Sequence, residues 1–317
     1  MIAILPPSAV ARNYKISPRN AEKALKAEDL QYRISFLCDP VCGGRATGTP
    51  GGTLAACWIS EQFRISGLIP PRDGWFQGFQ TESGAAGHNV IGFLPGSGQE
   101  YVIVMSHFDH LGKLNGILYP GADNNASGVS AMISLSQMLS YMARIDKPYG
   151  RTVIFVALDG KERNMGGSRE LYRRLRAGAI TDPSTGRAVS KDKVAMVINL
   201  DQIGSSLSPI RKGHPDYLIM LTDDGSGQRS LLSAVNRQQG LNLDLGFTYY
   251  GSRDFTRLFF RRVCDQKVFL EAGMDAILFT SGITMNNNKP HDLPSTLDIP
   301  VLLDRIRLIY YWLSRSL

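Results

Sequence analysis

Thr152–Leu158, with the sequence TVIFVAL, is the stretch that decides the fold. A continuous apolar and β-branched run of this length is typical of a strand that is buried on both faces of a sheet. It leads directly into a polar, glycine-rich turn, Asp159–Ser168, in which Lys161 and Glu162 stand side by side. Because α/β enzymes place their chemistry beyond the carboxyl ends of parallel strands, this turn is a candidate functional site.

Similar apolar runs on both sides of this strand alternate with segments of helical spacing. Strands are predicted at 89–94, 101–105, 194–200, 217–221 and 276–279, with a further candidate at 245–250. Helices are predicted at 20–36, 53–66, 126–143, 168–177, 228–239, 265–272 and 295–313. This alternation predicts a largely parallel sheet that is covered by helices on both faces. No repeat or change of composition divides the chain, so we expect one domain over residues 1–317.

Composition excludes some classes of protein. The chain has 317 residues, of which 43% are hydrophobic and 20% charged, which is ordinary for a folded protein and argues against disorder. The net charge is +7, but the basic residues are scattered in short groups such as Arg173-Arg174 and Arg261-Arg262. We therefore predict no nucleic-acid partner. No apolar run reaches the ~18 residues that span a bilayer, so no membrane span is predicted.

The cysteines and the N-terminus leave alternatives open. Cys38, Cys42 and Cys57 lie near one another in the chain and Cys264 is remote, so the pairs of a zinc finger are missing. A disulfide among the first three and buried free thiols are both compatible with this spacing. The N-terminal stretch 1–18 lacks the basic and apolar regions of a signal peptide. It could be the trimmed start of an exported protein.

Polar clusters follow several of the predicted strands. Their members are His107, Asp109, His110, Asp123, Asn124, Asn125, Asp159, Lys161, Glu162, Asp201, His291 and Asp292. The carboxyl ends of parallel strands meet at one edge of a sheet, so we expect these clusters to converge. Histidine with carboxylates is a ligand set for zinc or a similar metal ion. Asp109, two residues after His107, could hold the other N–H of the imidazole.

The order of these motifs carries a family resemblance. GRATGTPGG, HNVIGFLPG, SHFDHLG, YPGADNNASG, FVALDGKE, NLDQIG and a final PHD loop occur in sequence from about residue 30 onwards. Together they resemble the co-catalytic zinc aminopeptidases of peptidase clan MH, whose fold glutaminyl cyclases share. The resemblance implies a three-layer α/β/α sandwich with a mixed, mostly parallel central sheet of the zinc-aminopeptidase and phosphorylase type. It also implies export to the periplasm or cell surface, with the cytoplasm as an alternative.

The metal site that the resemblance implies is incomplete in this chain. The family's ligand positions fall on His107, which Asp109 supports, and on Glu162, Asp201 and His291. The bridging aspartate of the family becomes Asn124, and its general-base glutamate becomes Lys161. The Ser-Asp-His turn of the family becomes Cys264-Asp265-Gln266.

These two replacements change what the site can hold. Two divalent ions at ~3.5–4 Å need a shared anion, and the amide of Asn124 carries no charge. At an effective dielectric of ~20, one pair of unit charges 4 Å apart interacts by about 4 kcal/mol, and two dications by four times as much. We therefore expect no zinc ion or one. The ammonium of Lys161 is expected to fill the volume of a metal ion; the alternative is that Lys161 points to solvent and has no role.

Two functions follow. The first is a pseudo-peptidase with impaired or lost peptidase activity that binds a small, peptide-like ligand. The alternative is an active metallo-aminopeptidase that removes N-terminal residues of peptides with one metal ion and an unusual base. The aromatic residues within 247–250 and 255–260 are expected to be core, although they could line an apolar pocket. The sequence predicts no oligomeric state.

Overall fold

The computed structural model describes residues 16–223 and 227–317. The expectation of a trimmed N-terminus at 1–18 therefore falls almost wholly outside the described residues. Within the described part of the chain, no helix combines the length and the apolar character that crossing a bilayer requires.

The strands and helices alternate along the chain, as the apolar pattern predicts. The strands are β1 Phe76–Gln80, β2 Ala86–Leu94, β3 Tyr101–His107, β4 Gly112–Leu114, β5 Ile117–Tyr119, β6 Thr152–Leu158, β7 Val194–Leu200, β8 Tyr217–Thr222, β9 Asp244–Gly246 and β10 Ala276–Thr280. The helices are α1 Ala27–Cys38, α2 Pro50–Ile65, α3 Ser127–Ile145, α4 Gly166–Arg176, α5 Gly227–Gln239, α6 Arg253–Leu258, α7 Gln266–Glu271 and α8 Ile299–Ser316.

The main sheet has eight strands in the order β1-β2-β6-β3-β7-β10-β8-β9, and β4 pairs with β5 in a separate hairpin. The pairings of β3 with β6, β3 with β7, β7 with β10 and β8 with β9 are parallel. The remaining three are antiparallel. The predicted mixed central sheet is therefore confirmed.

Both faces of this sheet are covered. Along β6, Val153 and Phe155 belong to one hydrophobic core, whereas Ile154 and Val156 belong to another. Successive side chains of a strand point to opposite faces, so the two cores lie on opposite sides of the sheet. Residues of α1, α2, α3 and α8 contribute to the first core, and residues of α4 and α7 to the second. The three-layer α/β/α arrangement is thus confirmed.

Several predicted boundaries are wrong for local reasons. The helix predicted over 20–36 is interrupted, because Leu25 and Lys26 adopt extended backbone conformations between a 3₁₀ turn and α1. Leu25 is thereby buried in the core. The strand predicted at 245–250 is only Asp244–Gly246. The last helix begins at Ile299 rather than 295, because the Asp298 side chain caps its first turn.

All four cysteines are free thiols. The disulfide that the spacing of Cys38, Cys42 and Cys57 allowed does not form. Cys42 instead donates a hydrogen bond to the carbonyl of Phe36, while Cys57 is exposed.

The parallel strands β3, β6 and β7 place their carboxyl ends at one edge of the sheet. His107 is the last residue of β3, Lys161 and Glu162 follow β6, and Asp201 follows β7. The predicted clusters therefore lie at the same edge, which is the starting point for the functional site.

Candidate functional site

Lys161 lies between His107 and Asp201. Its Nζ donates a hydrogen bond to Asp201 Oδ2 at 2.9 Å and another to His107 Nε2 at 3.0 Å. The Lys161 side chain is only 12% exposed and that of Asp201 2%. The expectation that Lys161 points into the site therefore agrees with the geometry, and the solvent-facing alternative does not. Its ammonium stands between two side chains that the resemblance assigns as metal ligands.

The charges of this group stabilise one another. Burial alone would lower the pKa of Lys161, but the carboxylate of Asp201 raises it above its ordinary value. Burial would likewise raise the pKa of Asp201, yet the ammonium of Lys161 holds it well below its usual range. The two groups form a buried ion pair. In the neutral imidazole, His107 Nε2 accepts the hydrogen bond from Lys161, and the proton lies on Nδ1, which faces the Asp109 carbonyl oxygen at 3.1 Å.

Asp109 organises the turn that carries Lys161. One carboxylate oxygen accepts from the backbone N–H of Lys161 and the other from that of Glu162, each at 3.0 Å. The carboxylate also lies 3.6 Å from His107 Nδ1. Asp109 therefore holds two strand ends together, a role that sequence reasoning missed because a hydrogen bond to backbone leaves no motif.

Asn124 faces two other asparagines. Its Nδ2 donates to Asn287 Oδ1 at 3.0 Å and to Asn288 Oδ1 at 2.8 Å. Its own Oδ1 is buried and has no hydrogen-bond partner among the described residues. Sequence reasoning gave Asn287 and Asn288 no role, although they lie just before the PHD loop, separated from it by Lys289.

His291 behaves differently from the other candidate residues. It is exposed, and its side chain forms no hydrogen bond or ion pair with any residue that the structure describes. Its neighbour Asp292 is buried instead, and accepts from the backbone N–H groups of Asp123 at 2.8 Å and Asn124 at 3.0 Å. The structure thus groups His107, Lys161 and Asp201 directly, and leaves His291 at the surface.

A cavity of about 340 Å³ opens over this group. Its polar lining includes Asn124, Lys161, Glu162, Asp201, Asn287 and Asn288. Its apolar lining includes Met165, Tyr249, Leu258, Phe259, Val263, Leu278 and Ile283, with Cys264 beside them. We call this the site cavity. It is large enough for a small ligand with both polar and apolar parts.

The aromatic segments divide between cavity and core. Tyr249 and Phe259 stack with ring centroids 4.0 Å apart and line the site cavity. Phe247 and Phe260 pack against hydrophobic cores, as expected for the whole group. Tyr249 is nevertheless buried and Phe259 packs against a hydrophobic core, so both residues line the cavity from the core. The core interpretation is wrong for Phe255, whose side chain is 56% exposed.

Arg45 fixes the backbone around the site. It is fully buried, and its guanidinium donates to the carbonyl oxygens of Leu37, Phe108, Pro120 and Gly121 at 2.5–2.8 Å. These bonds tie the loop after β3 to the loop that leads to Asn124. Only the glycine-rich motif GRATGTPGG indicated that this segment had a special role.

The residues do not fit the pair of metal ions that the resemblance implies. The space between His107 and Asp201 is filled by the ammonium of Lys161. Beside Glu162, the remaining ligand positions are a neutral amide, Asn124, and an exposed histidine, His291. Among the described residues, no group of three or more His, Cys, Asp and Glu side chains could hold a metal ion.

Asp292 offers a test of how the Asn124 loop is held. We expect Asp292→Asn to lower the free energy of unfolding by about 1–2 kcal/mol, because one accepting oxygen is replaced by a donor that faces a backbone N–H. Urea unfolding would measure this. Asp192→Asn is the matched control, since the side chain of Asp192 is 81% exposed, and it should change stability by less than ~0.5 kcal/mol. Equal effects would show that Asp292 does not hold the loop.

Known proteins share this architecture. A zinc aminopeptidase from Bacillus subtilis superimposes with a TM-score of 0.65 at 14% identity, covering 91% of this chain and 94% of that one. A glutaminyl cyclase from Porphyromonas gingivalis also gives a TM-score of 0.65, at 15% identity, covering 92% and 99%. At these identities the likeness shows the fold. Among curated proteins, the alkaline phosphatase isozyme conversion protein of Escherichia coli K12 is 27% identical over 177 residues.

That match covers 50% of this chain and 47% of the E. coli protein, so it spans about half of each. The sequence profile of peptidase family M28 matches residues 89–312, which include every candidate site residue from His107 to His291. The predicted resemblance is confirmed: the chain belongs to peptidase family M28.

Proposed function

We propose that this M28 member binds the free N-terminus of a small, peptide-like ligand in the site cavity and does not cleave it. The observation that carries the proposal is the position of Lys161 Nζ, 3.0 Å from His107 Nε2 and 2.9 Å from Asp201 Oδ2. In this proposal, Lys161 stands at the position of the general base and its ammonium takes the volume of a metal ion.

The chemistry of the two replacements argues against hydrolysis. A general base must accept a proton from water, and a carboxylate does so readily. The ammonium of Lys161 has three donors and no acceptor, and its ion pair with Asp201 stabilises the charged form. Asn124 adds no negative charge to hold two cations together. Both deficits would have to be overcome before water could attack an amide.

The polar lining of the cavity instead favours a cationic donor. Asn124 Oδ1 and Asp201 Oδ1 are buried acceptors without a hydrogen-bond partner among the described residues. The Glu162 carboxylate lines the same cavity and forms no hydrogen bond to a described residue. Since Lys161 is already paired with Asp201, Glu162 leaves a formal excess of one negative charge. A peptide ammonium supplies three donors for these acceptors, and apolar groups such as Phe259 would contact its first side chain.

Calorimetry with a free and a blocked peptide tests this proposal. We expect Leu-Gly-Gly to bind at least tenfold more tightly than N-acetyl-Leu-Gly-Gly, because acetylation removes the charge and two of the three donors. Glu162→Gln should remove most of this preference. Glu271→Gln, at a side chain that is 64% exposed, is the matched control and should retain it. Equal binding of both peptides would overturn the proposal.

A hydrolysis assay separates the alternative function. The unmodified protein should show no leucyl-amide hydrolysis that zinc stimulates and a chelator abolishes. Robust, chelator-sensitive turnover would contradict the proposal and favour an active aminopeptidase with one metal ion and an unusual base.

A further inference from the structure

A second cavity, of about 290 Å³, is lined mainly by arginines. Its cationic residues are Arg229, Arg253, Arg257 and Arg261. We call it the arginine cavity. None of the four arginines lines the site cavity, and none belongs to the motifs that carry the family resemblance.

The arginines are brought together by two separate parts of the chain. Arg253, Arg257 and Arg261 recur every four residues along α6 and the helical turn Phe259–Val263 that continues it. Residues four apart lie on one face of a helix, so the three side chains form a stripe. Arg229 faces this stripe from the first turns of α5.

Arg229 contacts both the backbone and an aromatic ring. Its Nη2 donates to the carbonyl of Thr222 at 2.8 Å, and its guanidinium lies 5.9 Å from the centroid of the Phe247 ring. Its Nε is buried and has no hydrogen-bond partner among the described residues. A buried guanidinium nitrogen without an acceptor carries a desolvation cost.

The charge balance of the arginine cavity is strongly positive. Among the lining residues that the structure describes, Asp223 is the single carboxylate, and it already pairs with Arg261 at 2.5 Å. Four guanidinium groups against one carboxylate leave a formal excess of three positive charges in the described part of the lining. Phe260 adds an apolar surface beside them.

We infer that the arginine cavity binds a phosphate-type multivalent anion, free or carried on a small phosphorylated molecule. Guanidinium groups match phosphate oxygens in geometry, and several together discriminate a multivalent anion from chloride. The stripe is short and the cavity is small, at about 290 Å³, which fits a small ligand better than an extended nucleic acid. This inference does not depend on the function proposed for the site cavity.

Thermal unfolding and calorimetry with inorganic phosphate and phenyl phosphate, at constant ionic strength against chloride, test the inference. We expect both probes to raise the unfolding temperature. Tighter binding of phenyl phosphate would assign the site to phosphorylated molecules with an apolar body. Equal or tighter binding of inorganic phosphate would assign it to the free ion.

Two double variants test whether the arginine cavity is the site of phosphate binding. Arg253→Gln combined with Arg257→Gln should weaken phosphate binding at least tenfold. Arg237→Gln combined with Arg262→Gln removes the same charge from exposed positions outside the lining and should leave binding within twofold. Equal losses in both pairs, no response to either probe, or preferential binding of a short single-stranded oligonucleotide at physiological salt would each overturn the inference.

Discussion

Combining Asn124→Asp with Lys161→Glu should turn this protein into a zinc-binding aminopeptidase. The first change supplies the shared negative charge that two divalent ions need. The second removes the ammonium from between His107 and Asp201, and supplies a carboxylate that can accept a proton from water. General-base catalysis typically accelerates a reaction by ~10²–10⁴-fold. The rate of leucyl-amide hydrolysis should therefore clearly exceed that of either single variant.

The single changes should behave differently from each other. Asn124→Asp alone should gain affinity for zinc first, because Glu162 then has a charged neighbour, but the ammonium of Lys161 should still hinder a second ion. Lys161→Glu alone places a carboxylate beside Asp201 with no cation between them, so it should be unstable without metal and bind zinc weakly. The two changes act as one unit, and their effects on rate should be far from additive.

Metal content after dialysis and chelator-sensitive turnover are the measurements for this repair. Asn115→Asp with Lys193→Glu makes the same two kinds of substitution, and so the same change of charge, at exposed positions; this control should bind no additional zinc. If the repaired protein binds two zinc ions but stays inactive, the site cavity or the exposed His291 limits catalysis. If it binds no zinc, the assignment of Asn124 and Lys161 to the family's positions is wrong.

Lys161→Met should destabilise the protein by about 3 kcal/mol. Removing one partner of a buried ion pair leaves the other charge without compensation, which typically costs ~3–5 kcal/mol. We expect the lower end because the Lys161 side chain retains 12% exposure. The His107 imidazole loses a donor at the same time. Urea unfolding would measure the loss, and Lys193→Met, at an exposed lysine, should stay within about 0.5 kcal/mol of the unmodified protein.

A double-mutant cycle tests whether Lys161 and Asp201 stabilise each other. Asp201→Asn in the Lys161→Met background removes the unpaired charge. The double variant should therefore lose less unfolding free energy than the two single variants lose in total. Additive losses would show that Lys161 and Asp201 do not stabilise each other. That result would also weaken the view that the ammonium has taken over the role of a metal ion in this site.

The apolar pattern of the sequence was sufficient to predict most of the strands and helices. Strands such as Thr152–Leu158 are recognised from residues that are neighbours in the chain, because burial on both faces requires a continuous apolar run. The interrupted first helix shows the limit of this argument. There, burial of Leu25 outweighs the helical pattern of its neighbours, and that burial depends on a core assembled from distant segments.

The chemical character of the site was also readable from the sequence, but its arrangement was not. The identities of Asn124 and Lys161 in their motifs already predict the loss of a bridging charge and of a base. Whether Lys161 points to solvent or into the site depends on Asp109, which is 52 residues away in the chain and binds the Lys161 backbone N–H. Only the folded sheet brings these strand ends together.

The remaining features were decided by tertiary structure alone. The exposure of His291 follows from Asp292, which turns inward to bind the Asn124 loop. The arginine cavity requires α5 to face the stripe on α6, and no spacing within either segment encodes that meeting. Local pattern determines which segments become helices and strands, because it depends on adjacent residues. Long-range packing decides which polar groups meet, because their contacts join residues far apart in the chain.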